Sequence, residues 1–160
     1  METRETLMTE TAKQVTRVGS FELPCGADTA FPLFSPEGER VWVKGWDPRP
    51  VFPETVEFRS DTVFRTGEGT EDAVWTIVRA DWQEHRAEYV RVAPESHTAH
   101  IAVKIEPVER ERSHITVSYT VTAFGSDREK FLDAFSATSF ADRMVNWKRQ
   151  IGEYVERQKS

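Results

Sequence analysis

A chain of 160 residues with 38% hydrophobic and 11% aromatic content, including five Trp and ten Phe, is long enough for one domain that buries roughly 70% of its unfolded surface, which excludes disorder. Its net charge of −6, with acids and bases interleaved, argues against nucleic acid or an anionic membrane as the main partner. The single cysteine, Cys25, excludes an internal disulfide and reads as a small packed residue. No apolar run approaches the roughly 18 residues of a membrane helix. The first 14 residues carry no apolar segment of the secretory kind, so the expectation is a cytoplasmic protein without membrane insertion, as monomer or homodimer.

Residues 1–14 read as a mobile lead-in and 15–160 as a single domain. Val15, Val18, Phe21 and Leu23 lie in an extended run stopped by Pro24, a first strand. Ala27 to Phe34 reads as a short helix with Asp28 as N-cap. Ser35-Pro36-Glu37 then opens a second short helix to Trp42. Pro48, Pro50 and Pro53 confine the next segment to an edge or a connection. A short strand from Asp61 to Thr66 ends in the turn Gly67-Glu68-Gly69. Ala73–Trp82 and Arg86–Ala93 make a hairpin around Gln83-Glu84-His85, and Thr98–Val108 and His114–Phe124 make another around Glu109 to Arg112. Ile115, Val117, Tyr119, Val121 and Ala123 alternate with polar residues, as do Ala99, Ile101, Val103 and Ile105 opposite them, so one sheet face is buried and one is wet. In the earlier hairpin the inward set is Trp75 and Ile77 rather than Val74, Thr76 and Val78, by a narrow margin.

The tail from Ser126 to about Arg157 is helical. Phe140, Met144, Trp147, Ile151 and Tyr154 form one apolar stripe, which the concave face of the sheet must cover. Phe131 and Phe135 fall opposite that stripe, and Ser136-Ala137-Thr138-Ser139 is poor in helix formers. A break near 136–139 is therefore expected, with Ser126 and Ser139 as cap signatures; the alternative is an unbroken helix whose first turns pack on the short helices. The fold class is α+β: an antiparallel sheet of about six or seven strands, two short helices after the first strand, and a long C-terminal helix.

This order resembles the helix-grip fold of START-like domains, birch-pollen-allergen-like proteins and polyketide cyclases (the SRPBCC superfamily). The stretch from Phe31 to Trp42, Gly45-Trp46-Asp47-Pro48, Trp75 with Asp81, Tyr89 to Pro94, residues 116–123, and Phe140 with Trp147 are similar to an uncharacterised bacterial subgroup. The resemblance implies a cavity between curved sheet and long helix, used by relatives for lipids, sterols, hormones or aromatic polyketides, and in a few for cyclisation or dehydration. It assigns no role by itself.

Candidate cavity-lining residues are Trp75, Tyr89, Arg91, His97, Ile101, Val103, Val117, Tyr119, Phe140, Met144 and Trp147. Tyr119 is the leading polar candidate, because a buried hydroxyl in an apolar strand face needs a partner. Arg91, if inward, is a clamp for a carboxylate or enolate; if outward, it is simply solvated. His97 and His100 lie three apart on a strand and so on opposite faces, which leaves no shared metal; His97 is either an inward donor or a strand-end residue. Asp81 and Glu84 belong to a solvated hairpin tip. No cofactor motif is present, and no metal set is expected. The reading is a binding domain for a small apolar or aromatic molecule. The alternatives are a cyclase/dehydratase-like enzyme and a protein-interaction module with a filled core.

Overall fold

The computed structural model describes residues 11–68 and 72–159. Strand β1 (Lys13–Leu23) leads into a short helix α1 (Ala27–Ala30) and two 3₁₀ turns, Phe31–Phe34 and Gly38–Val41. Then come β2 (Arg49–Phe52), β3 (Val63–Thr66), β4 (Ala73–Asp81), β5 (Arg86–Ala93), β6 (His97–Glu109) and β7 (Arg112–Ala123). Helices α2 (Arg128–Asp133) and α3 (Ala137–Gln158) close the chain. The strands form one antiparallel sheet in the order β1-β7-β6-β5-β4-β3-β2. Seven curved strands around a long C-terminal helix, with short helical turns after the first strand, make the helix-grip form of the α+β class. No helix among the described residues is long and apolar enough to cross a membrane.

Period-two patterning decides which side chains enter the core. On β6 and β7 the inward set is His97, Ala99, Ile101, Val103 and Ile105 against Ile115, Val117, Tyr119, Val121 and Ala123, all buried. Trp75 and Ile77 point inward on β4, and Ala87, Tyr89 and Ala93 on β5, with Arg91 on the same face. On β1 the inward parity falls on Val15, Arg17, Gly19, Phe21 and Leu23, whereas Val18 is 64% exposed. The strand starts at Lys13, so the expected lead-in is shortened at its end; its residues 1–10 lie outside the described chain, as does Gly69 of the β3–β4 turn. Gly19 is a strand glycine with a packing reason. A Cβ there would sit 2.6 Å from Met144 Cγ and 3.1 Å from Phe140 Cε2, so its absence is what lets α3 lie on β1.

The short helical elements depart from expectation. The residue before α1 at the cap is Gly26, not Asp28, whose carboxylate instead meets His85 Nε2 at 2.7 Å. Pro32 lacks an N–H, and the helix tightens at once into a 3₁₀ turn. The expected helix from Pro36 to Trp42 is only the 3₁₀ turn Gly38–Val41. Ser35 does act as expected at its start: its Oγ accepts from the Gly38 N–H at 2.8 Å and donates to Pro32 O at 2.6 Å. Four residues are too few to propagate an α-helix, so this segment takes its shape from tertiary anchors. Trp42 Nε1 donates to Leu33 O at 2.7 Å, and Trp46 Nε1 to Pro36 O at 2.7 Å.

The C-terminal tail is broken, two to three residues earlier than the 136–139 junction. Its first part ends at Asp133, and α3 begins at Ala137 with Ser136, not Ser139, as N-cap. Ser136 Oγ accepts from the Ser139 N–H at 3.1 Å, so Ser139 is the donor of the cap rather than the cap itself. Ser136→Ala is expected to cost about 1 kcal/mol, read from the denaturant midpoint. The break lets Phe131 and Phe135 face the sheet rather than the short helices. Phe131 stacks on His97 at 4.1 Å between ring centroids, and Phe135 lies 5.7 Å from Tyr119.

Candidate functional site

Two rows of paired strand residues cross the concave face under the α2–α3 junction. One runs Phe64, Trp75, Arg91, Ala99 and Val121; the next runs Ile77, Tyr89, Ile101, Tyr119 and Arg17. Above them lie Phe140, Met144 and Trp147 of α3, with Phe34, Glu39 and Trp42 entering from the 3₁₀ turns. Much of this interior is aromatic. Trp147 sits 5.4 Å from Trp42, 6.4 Å from Phe34 and 6.3 Å from Tyr119, and Trp75 stacks on Phe64 at 5.6 Å.

The polar groups in this wall differ in how well they are satisfied. Tyr89 donates its hydroxyl to Phe34 O at 2.5 Å, and burial pushes the phenol well above its usual range; this residue ties the sheet to the first 3₁₀ turn. Arg91 donates from Nε to His97 Nε2 at 3.1 Å, and its guanidinium lies 5.2 Å over the Trp75 ring. A guanidinium can only donate, so His97 Nε2 is an acceptor and the neutral ring carries its proton on Nδ1, 2.9 Å from Ser96 Oγ. Both nitrogens of His97 are thus engaged. Burial first, and Arg91 second, pull its pKa down to about 4. His100 faces the other way, towards Glu88 at 3.4 Å.

Tyr119 is the hub. Arg17 is its cross-strand partner on β1, and the Arg143 guanidinium lies 5.5 Å over its ring and 4.5 Å over Phe135. Burial raises the Tyr119 phenol pKa; Arg91 and Arg143 pull against that shift, and Glu39 adds to it. Glu39, Arg17 and Arg143 were not singled out by sequence reasoning. Glu39 keeps part of its surface accessible, yet desolvation pushes its carboxyl well above the usual carboxylate range. Among the described residues its carboxylate has no hydrogen-bond or ion-pair partner. Neighbouring Arg40 points away to Glu37 at 2.8 Å and Asp47 at 3.0 Å. Nothing in Gly38-Glu39-Arg40 marks the middle residue as internal; the 3₁₀ turn alone decides it.

The other candidates separate by position. Ile101, Val103 and Val117 form the closed floor of the sheet. Phe140 and Met144 also line a 440 Å³ groove on the β1 side, with Arg17, Gly19 and Val145. Trp147 and Arg143 line a 580 Å³ depression that opens to solvent beside the α2–α3 junction. Asp81 and Glu84 do not pair: Asp81 Oδ1 accepts the N–H groups of Gln83 and Glu84 and shapes the β4–β5 turn. A cavity of 810 Å³ lies away from all of these, at the C-terminal end of α3, among Cys25, Leu33, His85, Pro107 and Tyr154. Two of its polar residues are partnered: His85 holds Asp28, and Lys159 Nζ donates to Pro24 O at 2.8 Å. Among the described residues, the buried side-chain atoms left without a partner are Thr62 Oγ1, Ser113 Oγ and Arg128 Nε.

A curved seven-stranded antiparallel sheet closed by one long helix is the helix-grip fold. Among solved structures, norcoclaurine synthase from Thalictrum flavum, in complex with dopamine and hydroxybenzaldehyde, is similar with TM-score 0.64 at 12% identity, over 93% of this chain and 90% of that one. An uncharacterised protein from Rhizobium leguminosarum is similar with TM-score 0.65 at 15% identity, over 92% and 97%. Ara h 8.0201 is similar with TM-score 0.58 at 14% identity, over 84% and 96%. No family model and no curated protein matches the sequence, so the likeness is one of fold.

Proposed function

We propose that this chain binds a small aromatic molecule between the concave face of the sheet and α3, at the end nearest the α2–α3 junction. Trp75, Arg91, Tyr119 and Trp147 are its contacts. The observation that carries this reading is the unsatisfied polar chemistry set in an aromatic wall. The Arg91 Nη groups and the Glu39 carboxyl belong to half-buried residues and have no protein partner among the described residues, so they are open to a ligand. Trp147, which is half-buried, offers a ring edge both to Tyr119 and to the solvent-facing depression. The complex of norcoclaurine synthase with dopamine and hydroxybenzaldehyde supports small aromatics as the ligand class.

Titration with 2-naphthamide, a neutral aromatic probe, is expected to give one saturable equivalent by calorimetry, and Trp147→Ala is expected to weaken it. Absence of saturable heat with the intact protein, together with no co-purifying molecule in native mass spectrometry, sinks the reading. A second reading, an enzyme of the cyclase/dehydratase kind, is favoured by one observation. Burial pushes the Glu39 carboxyl well above the usual carboxylate range, and it lies close enough to Tyr89 and Tyr119 to raise both phenols, which suits proton transfer.

A further inference from the structure

Two guanidiniums bear on the Tyr119 phenol, and a third arginine is its cross-strand partner. Arg17 sits beside it in the sheet, Arg143 covers its ring, and Arg91 approaches from the next row. None of the three has a carboxylate within 4.0 Å among the described residues, in a chain of net charge −6. At the surface, by contrast, Arg40, Arg65, Arg79 and Arg112 each reach one. Arg17 has a structural reason to be there, since its Nε donates to Phe135 O at 2.7 Å and so satisfies a carbonyl left open by the helix break. Arg143 reaches the neighbouring Ala134 O only at 3.5 Å, which is a weak contact. Arg91 has no carbonyl among its bonds. Its plane is fixed by the Trp75 face and its Nε by His97, so both Nη groups remain as a pre-aligned fork.

Two like charges brought together in a desolvated place lower each other's stability as cations, and Arg91 registers both burial and Arg143. A planar oxyanion would relieve both at once, because the fork spacing of guanidinium matches a carboxylate bidentately. Arg143 and Trp147 also line the solvent-facing 580 Å³ depression on the flank of α3, whose other charged members are Asp142 and Arg149. We propose that the ligand is an aromatic acid whose carboxylate is held by Arg91 and Arg143 beside Tyr119, with its ring against Trp147 and Trp75. This rests on the binding reading above and adds the charge of the ligand to it.

The test compares 2-naphthoate with its neutral isostere 2-naphthamide by calorimetry at neutral pH. The acid is expected to bind at least about tenfold tighter, the scale of a charge-assisted bond. Arg91→Gln and Arg143→Gln should each remove most of that preference, so that the ratio of naphthoate to naphthamide affinity falls towards one. If Arg91→Gln fails to fold, the intact protein still decides the matter, since added salt should weaken naphthoate and leave naphthamide unchanged. Equal affinity for acid and amide, or a preference indifferent to both substitutions and to salt, overturns the clamp while leaving the binding site standing. Binding of neither probe overturns both.

Discussion

Acidification from neutral pH to below pH 4 is expected to cost the fold about 3 kcal/mol through His97 alone. In the folded protein His97 is buried behind Phe131, accepts from Arg91 and holds its pKa at about 4, against an ordinary histidine value near 6.5. Between those two values the unfolded chain binds a proton that the folded chain refuses. The stability is therefore fully present above about pH 6.5, falls as the pH drops through this window, and is gone below about pH 4. Protonation would also place a second cation against the Arg91 Nε–H and remove its acceptor. Glu39, held above the usual carboxylate range, gains stability as the pH falls in this window, whereas Asp72 and Asp81, held below it, lose theirs only at and below about pH 4. The comparison that isolates His97 is thus Tm against pH for the native chain and for His97→Gln, whose amide oxygen can still accept from Arg91. The two curves should converge towards acid by the stated amount. Parallel curves from pH 7 to 4 would show that His97 titrates normally.

What was legible in the sequence is what local periodicity controls. The alternation on β6 and β7 placed Ile101, Val103, Val117 and Tyr119 inward, and one face of a strand is a property of the strand alone. Trp75 followed for the same reason, with a thinner margin because Val74, Thr76 and Val78 are all β-branched strand formers. The helix break was legible from the phase slip between Phe135 and Phe140. Its cap fell on Ser136 rather than Ser139, because Ser136 is the extended residue whose Oγ accepts from the Ser139 N–H. The polar half of the candidate site was not legible for a different reason. Glu39 and Arg143 lie on a 3₁₀ turn and a helix flank, where a charge usually faces water, and their inward setting depends on Trp42 and Tyr119 from distant segments. Arg17 gave one signal that went unread: it shares strand parity with Val15, Phe21 and Leu23.

Gly38→Ala is expected to destabilise the protein by about 3 kcal/mol, the upper range of over-packing. The backbone of Gly38 is not in the left-handed region, so alanine meets no conformational penalty there. The obstacle is contact: an added Cβ would lie 1.9 Å from Pro32 O and 2.9 Å from Leu33 Cα. Pro32 O cannot retreat without cost, since it accepts from both Ser35 Oγ at 2.6 Å and Ser35 N at 3.1 Å. The turn Gly38–Val41 must therefore lift. With it go Glu39 and the Trp42 ring that packs 5.4 Å from Trp147, so tryptophan emission should shift to the red and naphthamide binding should weaken along with stability. Gly152 supplies the opposite case within the same molecule. It lies inside α3 with nothing within 4 Å of an added Cβ, and Gly152→Ala should stabilise by roughly 0.5–1 kcal/mol through helix propensity alone. Urea midpoints for the two variants on either side of the native value would separate close backbone approach from propensity. A native midpoint and native emission in Gly38→Ala would mean that this turn, and Glu39 with it, is not seated against Pro32.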